Sequence, residues 1–87
     1  MLPGLSEEFI RDNQNNLYWS WISVKQTLSE AFIEEFAHRV YWPEIAQYQK
    51  LSLDFILKHK LNIRLELLNK NVNIGDEVKQ YLQLLGE

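Results

Sequence analysis

Apolar and polar positions along this chain follow one pattern that returns at a fixed interval. Leu5-Ser6-Glu7-Glu8-Phe9-Ile10 comes back as Leu28-Ser29-Glu30-Ala31-Phe32-Ile33 and again as Leu51-Ser52-Leu53-Asp54-Phe55-Ile56, 23 residues further on each time. In that register Tyr18-Trp19 falls on Tyr41-Trp42, Ile22 on Ile45 and Gln26 on Gln49, while Leu65 stands where a third tryptophan would be. A short fixed period signals stacked supersecondary units, with atypical copies at the ends. The pattern predicts an all-α chain, a short α-solenoid of about three two-helix repeats over 5–27, 28–50 and 51–73. A capping helix over 74–86 completes a single domain, 1–87.

Local signals divide each unit in two. Ser6, Ser29 and Ser52 precede helical runs, where a hydroxyl can accept from a first-turn amide. Glu7, Glu8, Glu30 and Asp54 then set negative charge at the positive end of the helix dipole. Phe32, Ile33, Phe36, Ala37 and Val40 keep helical spacing. A turn near Tyr41-Trp42 leads to a second helix with Pro43 suited to its first position. Trp42, Ile45 and Gln49 share one face of it, as Trp19, Ile22 and Gln26 do in the first unit. So little chain separates Gln26 from Ser29 that the helices must fold back sharply. Ile74, Val78, Tyr81, Leu82 and Leu85 make the stripe of the last helix, which Gly86 is placed to stop.

Composition narrows the function classes. At 87 residues, 46% hydrophobic and 24% charged, the chain reads as one globular unit. It has no cysteine, so neither disulfides nor thiolate metal sites hold it, which fits a reducing cytoplasm. No apolar run approaches a membrane span, and Met1-Leu2-Pro3-Gly4 runs into Glu7 and Glu8 without the features of a signal peptide. The net charge of −3 disfavours a dedicated nucleic-acid binder. Its bases gather in a weak stretch at Lys50, Lys58, Lys60, Arg64 and Lys70, which keeps phosphate contact as a lesser alternative.

The units resemble a family of short helical repeats in uncharacterised phage, bacterial and giant-virus proteins, with the pattern L-S-E-x-F-I followed by W-x-x-I-S-x-x-Q. Leu28-Ser29-Glu30-Ala31-Phe32-Ile33 and Trp42-x-x-Ile45 carry the likeness, which covers roughly residues 5–56; Ala46 departs from the serine that Ser23 keeps. Family arrays are generally longer. The resemblance therefore implies a small derivative acting as a phage or viral accessory protein in the host cytoplasm. Inhibitors of host defence, anti-CRISPR proteins among them, are the implied class.

No catalytic, metal or cofactor constellation is found in the residues. His38 and His59 have no partner at ligand spacing and read as solvent-facing, the serines are explained by helix starts, and Glu34 and Glu35 point in different directions. The expected role is non-enzymatic and cofactor-free.

Recurring positions such as Phe9/Phe32/Phe55, Ile10/Ile33/Ile56 and Trp19/Trp42 are expected in the core, and the amides of Gln26 and Gln49 are expected to bond to the backbone of the next helix turn. Variable positions are freer to bind. Trp21, which aligns with Glu44 and Leu67, and Tyr48 are the first candidates for partner contact, with Tyr18, Tyr41 and Arg39 nearby. Covering the open end of the array is the plainer alternative for Trp21. Glu30, Glu34, Glu35 and Glu44 would steer a host protein or complex with a basic surface. A homodimer stacked through open ends is the other partner arrangement.

Overall fold

Why helices form here is visible at their first turns. In the computed structural model, which describes residues 4–85 and only the backbone of Leu85, Ser6, Ser29 and Ser52 each stand in an extended conformation before a helix. Their hydroxyls accept from the amides of Phe9, Phe32 and Phe55 at 3.0, 3.1 and 3.2 Å. Seven α-helices and no strand are found among the described residues: α1 Glu7–Asp12, α2 Trp19–Lys25, α3 Glu30–Glu35, α4 Trp42–Tyr48, α5 Leu53–Lys58, α6 Leu65–Leu68 and α7 Asp76–Leu85. A 3-10 turn, Gln14–Asn16, lies between α1 and α2.

The period persists in three dimensions. The helices α1, α3, α5 and α7 begin 23 residues apart, as do α2, α4 and α6. Asp76, the first residue of α7, thus holds the register of Glu7 and Glu30. The final helix begins two residues later than 74, and Pro43 is its helix's second residue because Trp42 opens α4. The N-terminal Met1-Leu2-Pro3 and the expected stop at Gly86 lie outside the described residues.

Helices of six or seven residues are too short to persist alone, so contacts between them must supply their stability. The core holds Ile10, Ile33 and Ile56 at 0, 0 and 2% exposure, and Phe32 and Phe55 at 1 and 6%. Trp19 stacks on Phe32 and Phe36, with ring centroids 6.4 and 5.2 Å away. Trp42 repeats this on Phe55 and His59 at 6.2 and 5.0 Å. Each indole also fastens the turn before it, Trp19 Nε1 donating to the Gln14 carbonyl and Trp42 Nε1 to that of Ala37, both at 3.0 Å. Phe9 departs from the expectation for recurring positions. It is 47% exposed, whereas Phe32 packs against the Trp19 ring.

Adjacent units are joined by hydrogen bonds that keep the same period. The Glu7 carboxylate accepts from the amide and hydroxyl of Ser29 at 2.7 and 3.0 Å, and Glu30 does the same to Ser52 at 2.5 and 3.1 Å. Next to the Ser29 bond, at Leu28, the partner is Gln49, which is 3% exposed. Its Nε2 donates to the carbonyls of Ser23 and Gln26, at 2.8 and 2.6 Å, and its Oε1 accepts from the Leu28 amide at 3.0 Å. The amide is bonded to backbone, but it reaches back to the preceding unit and to its own unit's start rather than forward to the next turn. Gln26 accepts from the Leu5 amide in the same way.

Among these contacts the Gln49 amide serves the most backbone groups. Replacing Gln49 by Ala leaves one N–H and two C=O groups without partners, so Gln49→Ala is expected to cost about 2–4 kcal/mol in denaturant unfolding. A surface control, Gln80→Ala, is expected to stay within ~0.5 kcal/mol. Equal effects would show that water replaces the amide at no cost.

Candidate functional site

Most of the exposed aromatics lie on or just before the second helices, with Phe9 on α1 and Tyr81 on α7 the others among the described residues. Tyr18, Tyr41 and Arg64 occupy the same register immediately before α2, α4 and α6, each in an extended backbone with no side-chain cap bond. Tyr18 is 86% exposed and Tyr41 53%, and Arg64 is exposed as well. The fold uses their backbones. The Tyr18 carbonyl accepts from the Ile22 amide, and the Tyr41 amide donates to the buried Ser23 Oγ at 3.0 Å. Trp21, three residues after Tyr18, is 50% exposed. Because α2 packs on α4 and α4 on α6, the register sets Tyr18 and Trp21 beside Tyr41 and Glu44, and these beside Arg64 and Leu67.

Other sequence candidates fall elsewhere. Tyr48, 43% exposed, sits at the far end of α4 from Tyr41, about 10 Å along the helix. Its hydroxyl accepts from Gln47 Nε2 at 3.3 Å and its carbonyl from Asn73 Nδ2. The Arg39 guanidinium is turned back on its own chain, donating to the Gln14 carbonyl at 3.0 Å and to Asn15 Oδ1 at 2.7 Å. Glu44 lies half-buried in the first turn of α4.

The remaining acids are engaged on the first helices. Glu30 caps Ser52. Glu35 on α3 holds Arg11 of α1 in a two-bonded pair at 2.7 and 2.9 Å. Glu34 takes Lys58 at 2.9 Å and His59 at 3.0 Å, both from the α5 side. The His59 and Lys58 bonds hold the Glu34 carboxyl below its ordinary value, and the Arg11 bond does the same for Glu35. His59 is not solvent-facing as its sequence neighbours suggest. Its side chain is 12% exposed and lies against the rings of Trp42 and Phe55.

Asn71 went unnoticed in the sequence because it lies 22 residues after Gln49, one short of the period. It is fully buried, and its Nδ2 donates to the carbonyls of Ala46 and Gln49, both at 2.8 Å. These are the 23-residue counterparts of the Gln49 bonds to Ser23 and Gln26. A one-residue slip offsets the missing methylene. No cluster of three or more metal-ligating side chains exists among the described residues, and none of their helices is long and apolar enough to cross a membrane.

Comparison with family models, curated proteins and solved structures finds no match to this chain.

The pairs on the first helices imply an acid response. Both carboxylates titrate below 4.5 in the folded chain, so their stabilisation is complete above that value and is lost as pH falls through the lowered folded values. Thermal melts are expected to show Tm falling from about pH 5 to about pH 3, and falling less in a Glu34→Gln/Glu35→Gln double variant. Parallel curves for the two proteins would place the acid sensitivity in other groups.

Proposed function

We propose that this chain is a short α-solenoid of about three helix pairs that acts, without catalysis, as a protein–protein interaction module. The observation that carries the reading is the row at Tyr18, Trp21 and Tyr41. These aromatic side chains stand exposed on neighbouring helices, at positions where the fold uses only the backbone or, at Trp21, where the register accepts Glu44 and Leu67 instead. Tyrosine and tryptophan supply a disproportionate share of interface energy. Arg64 continues the row with a third residue type common in such contacts. The acidic steering group contributes less to this reading, since Glu30, Glu34 and Glu35 bond within the chain. On the resemblance of the units to phage and viral repeats, the proposed partner is a host complex, with a defence complex the first choice and inhibition by occupancy the mechanism.

A second reading, self-assembly through the ends, is favoured by two observations. Phe9 lies exposed at the end where Phe32 and Phe55 are covered by a preceding tryptophan, and Asp76 carries a carboxylate in the register that caps the next serine in Glu7 and Glu30.

Capture of the tagged chain from host lysate separates these readings. One stoichiometric host complex is expected, with retention reduced at least tenfold by Tyr18→Ala/Tyr41→Ala, the loss of about 1.4 kcal/mol or more that truncating two interface aromatics implies. Circular dichroism should show the variant folded. Recovery of the bait alone, at a mass above one chain, would transfer support to self-assembly.

A further inference from the structure

The third unit lacks its tryptophan, and the place left behind has the lining of an indole site. A hollow of about 330 Å³ opens beside Leu65, walled by Ile56, Leu57, Ile63, Leu68 and Leu82 with Lys60 at its side. That volume is at the lower end of the range for small-molecule pockets, roughly 300–1,000 Å³. Shifted back by 23 residues, the lining becomes Ile33, Glu34, Val40, Ile45, His59 and Ala37, with Trp42 in the place of Leu65; of these, the His59 ring and the Ala37 carbonyl contact the Trp42 indole. The correspondence is more than sequential. His59 stacks on the Trp42 ring at 5.0 Å, as Phe36 does on Trp19 at 5.2 Å, and Leu82 is their counterpart in the third unit.

The polar partner is also in place. The Trp19 and Trp42 indoles donate to the carbonyls of Gln14 and Ala37. The equivalent carbonyl in the third unit belongs to Lys60, and among the described residues no donor bonds to it. A smaller side chain inside an otherwise preserved cage leaves apolar walls without contacts. It also leaves an acceptor suited to one N–H.

We propose that the hollow beside Leu65 binds an indole ring, with its edge N–H donated to the Lys60 carbonyl and its faces against Leu82 and Leu68. The site lies apart from the Tyr18–Trp21–Tyr41 row and does not depend on the docking role proposed for that row. The other two units already hold an indole in this cage, which is what selects a flat bicyclic donor over a general apolar ligand.

The test is titration of the whole chain with indole, followed by amide shifts in two-dimensional NMR. Saturable shifts centred on Leu65, Leu68 and Leu82 are expected, and 1-methylindole, which has no N–H, should bind roughly five- to tenfold more weakly. Leu65→Trp fills the cage from within, so it should raise Tm and abolish the response, whereas Lys25→Ala, on α2 and outside the hollow, should bind as the parent does. If Leu65→Trp does not fold, Leu65→Phe serves as the blocking variant. N-acetyltryptophanamide distinguishes the source: tighter binding than indole assigns the site to a peptide-borne ring, weaker binding to a small molecule. Absence of saturable shifts up to the solubility of indole, or undiminished binding in the folded blocking variant, would overturn the proposal. Equal affinity for 1-methylindole would overturn its hydrogen bond.

Discussion

Short helices joined by sharp turns leave their terminal backbone groups inside the molecule, and those groups need partners. The Gln49 side chain answers this constraint. Its single amide joins the last turn of α2, through the Ser23 and Gln26 carbonyls, to the start of its own unit at Leu28. One side chain thereby sets the distance between consecutive units. At the next residue the Glu7 carboxylate performs the same service for Ser29, as Glu30 does for Ser52, the serines that open the following first helices. With these junctions tied, the apolar faces of helices too short to be stable alone are held against one another.

This division of labour accounts for the contrast between the two helix sets. The first helices α1, α3 and α5 spend their polar groups on each other, through the Arg11–Glu35 pair and the Glu34 bonds to Lys58 and His59. Such exposed pairs contribute little singly, but they occupy the charged groups that would otherwise meet a partner. The second helices are held from beneath by the Trp19 and Trp42 indoles and by the buried amides. Their outward positions are left without structural duty, and there Tyr18, Trp21 and Tyr41 stand. The molecule measures 40 × 28 × 17 Å with a radius of gyration of 13.2 Å, against about 12 Å for a compact chain of this length. The extended form gives it more surface per residue than a sphere.

The third unit relaxes these rules. Asn71 replaces the glutamine by moving one residue toward the N-terminus, and it keeps both donor bonds to the preceding unit. It gives its oxygen to the Asn73 amide instead of to the start of its own unit. Leu53 stands in the register of Glu7 and Glu30, so the carboxylate clasp is interrupted there and returns in type at Asp76. Leu65 covers less than an indole does and opens the hollow beneath α7. A fold that tolerates all three changes relies on the redundancy of its joints more than on any one unit.

The period, the helix starts and most of the core were legible in the sequence, because each follows from side-chain type at a fixed offset. A serine before a helix and an isoleucine facing the core need the same neighbours in every unit, so they recur. The exposed row was legible in part. Trp21 stood out as a variable position, but Tyr18 and Tyr41 recur as core residues do, and only the tertiary structure shows them exposed. Tertiary structure decided the rest. Which carboxylates bond within the chain, the burial of His59 between aromatic rings and the role of Asn71 depend on contacts some 22 to 25 residues apart. The missing third indole is plain in the sequence at Leu65, but the carbonyl that would accept from it is not, because the acceptors at Gln14 and Ala37 belong to the backbone, which every residue shares.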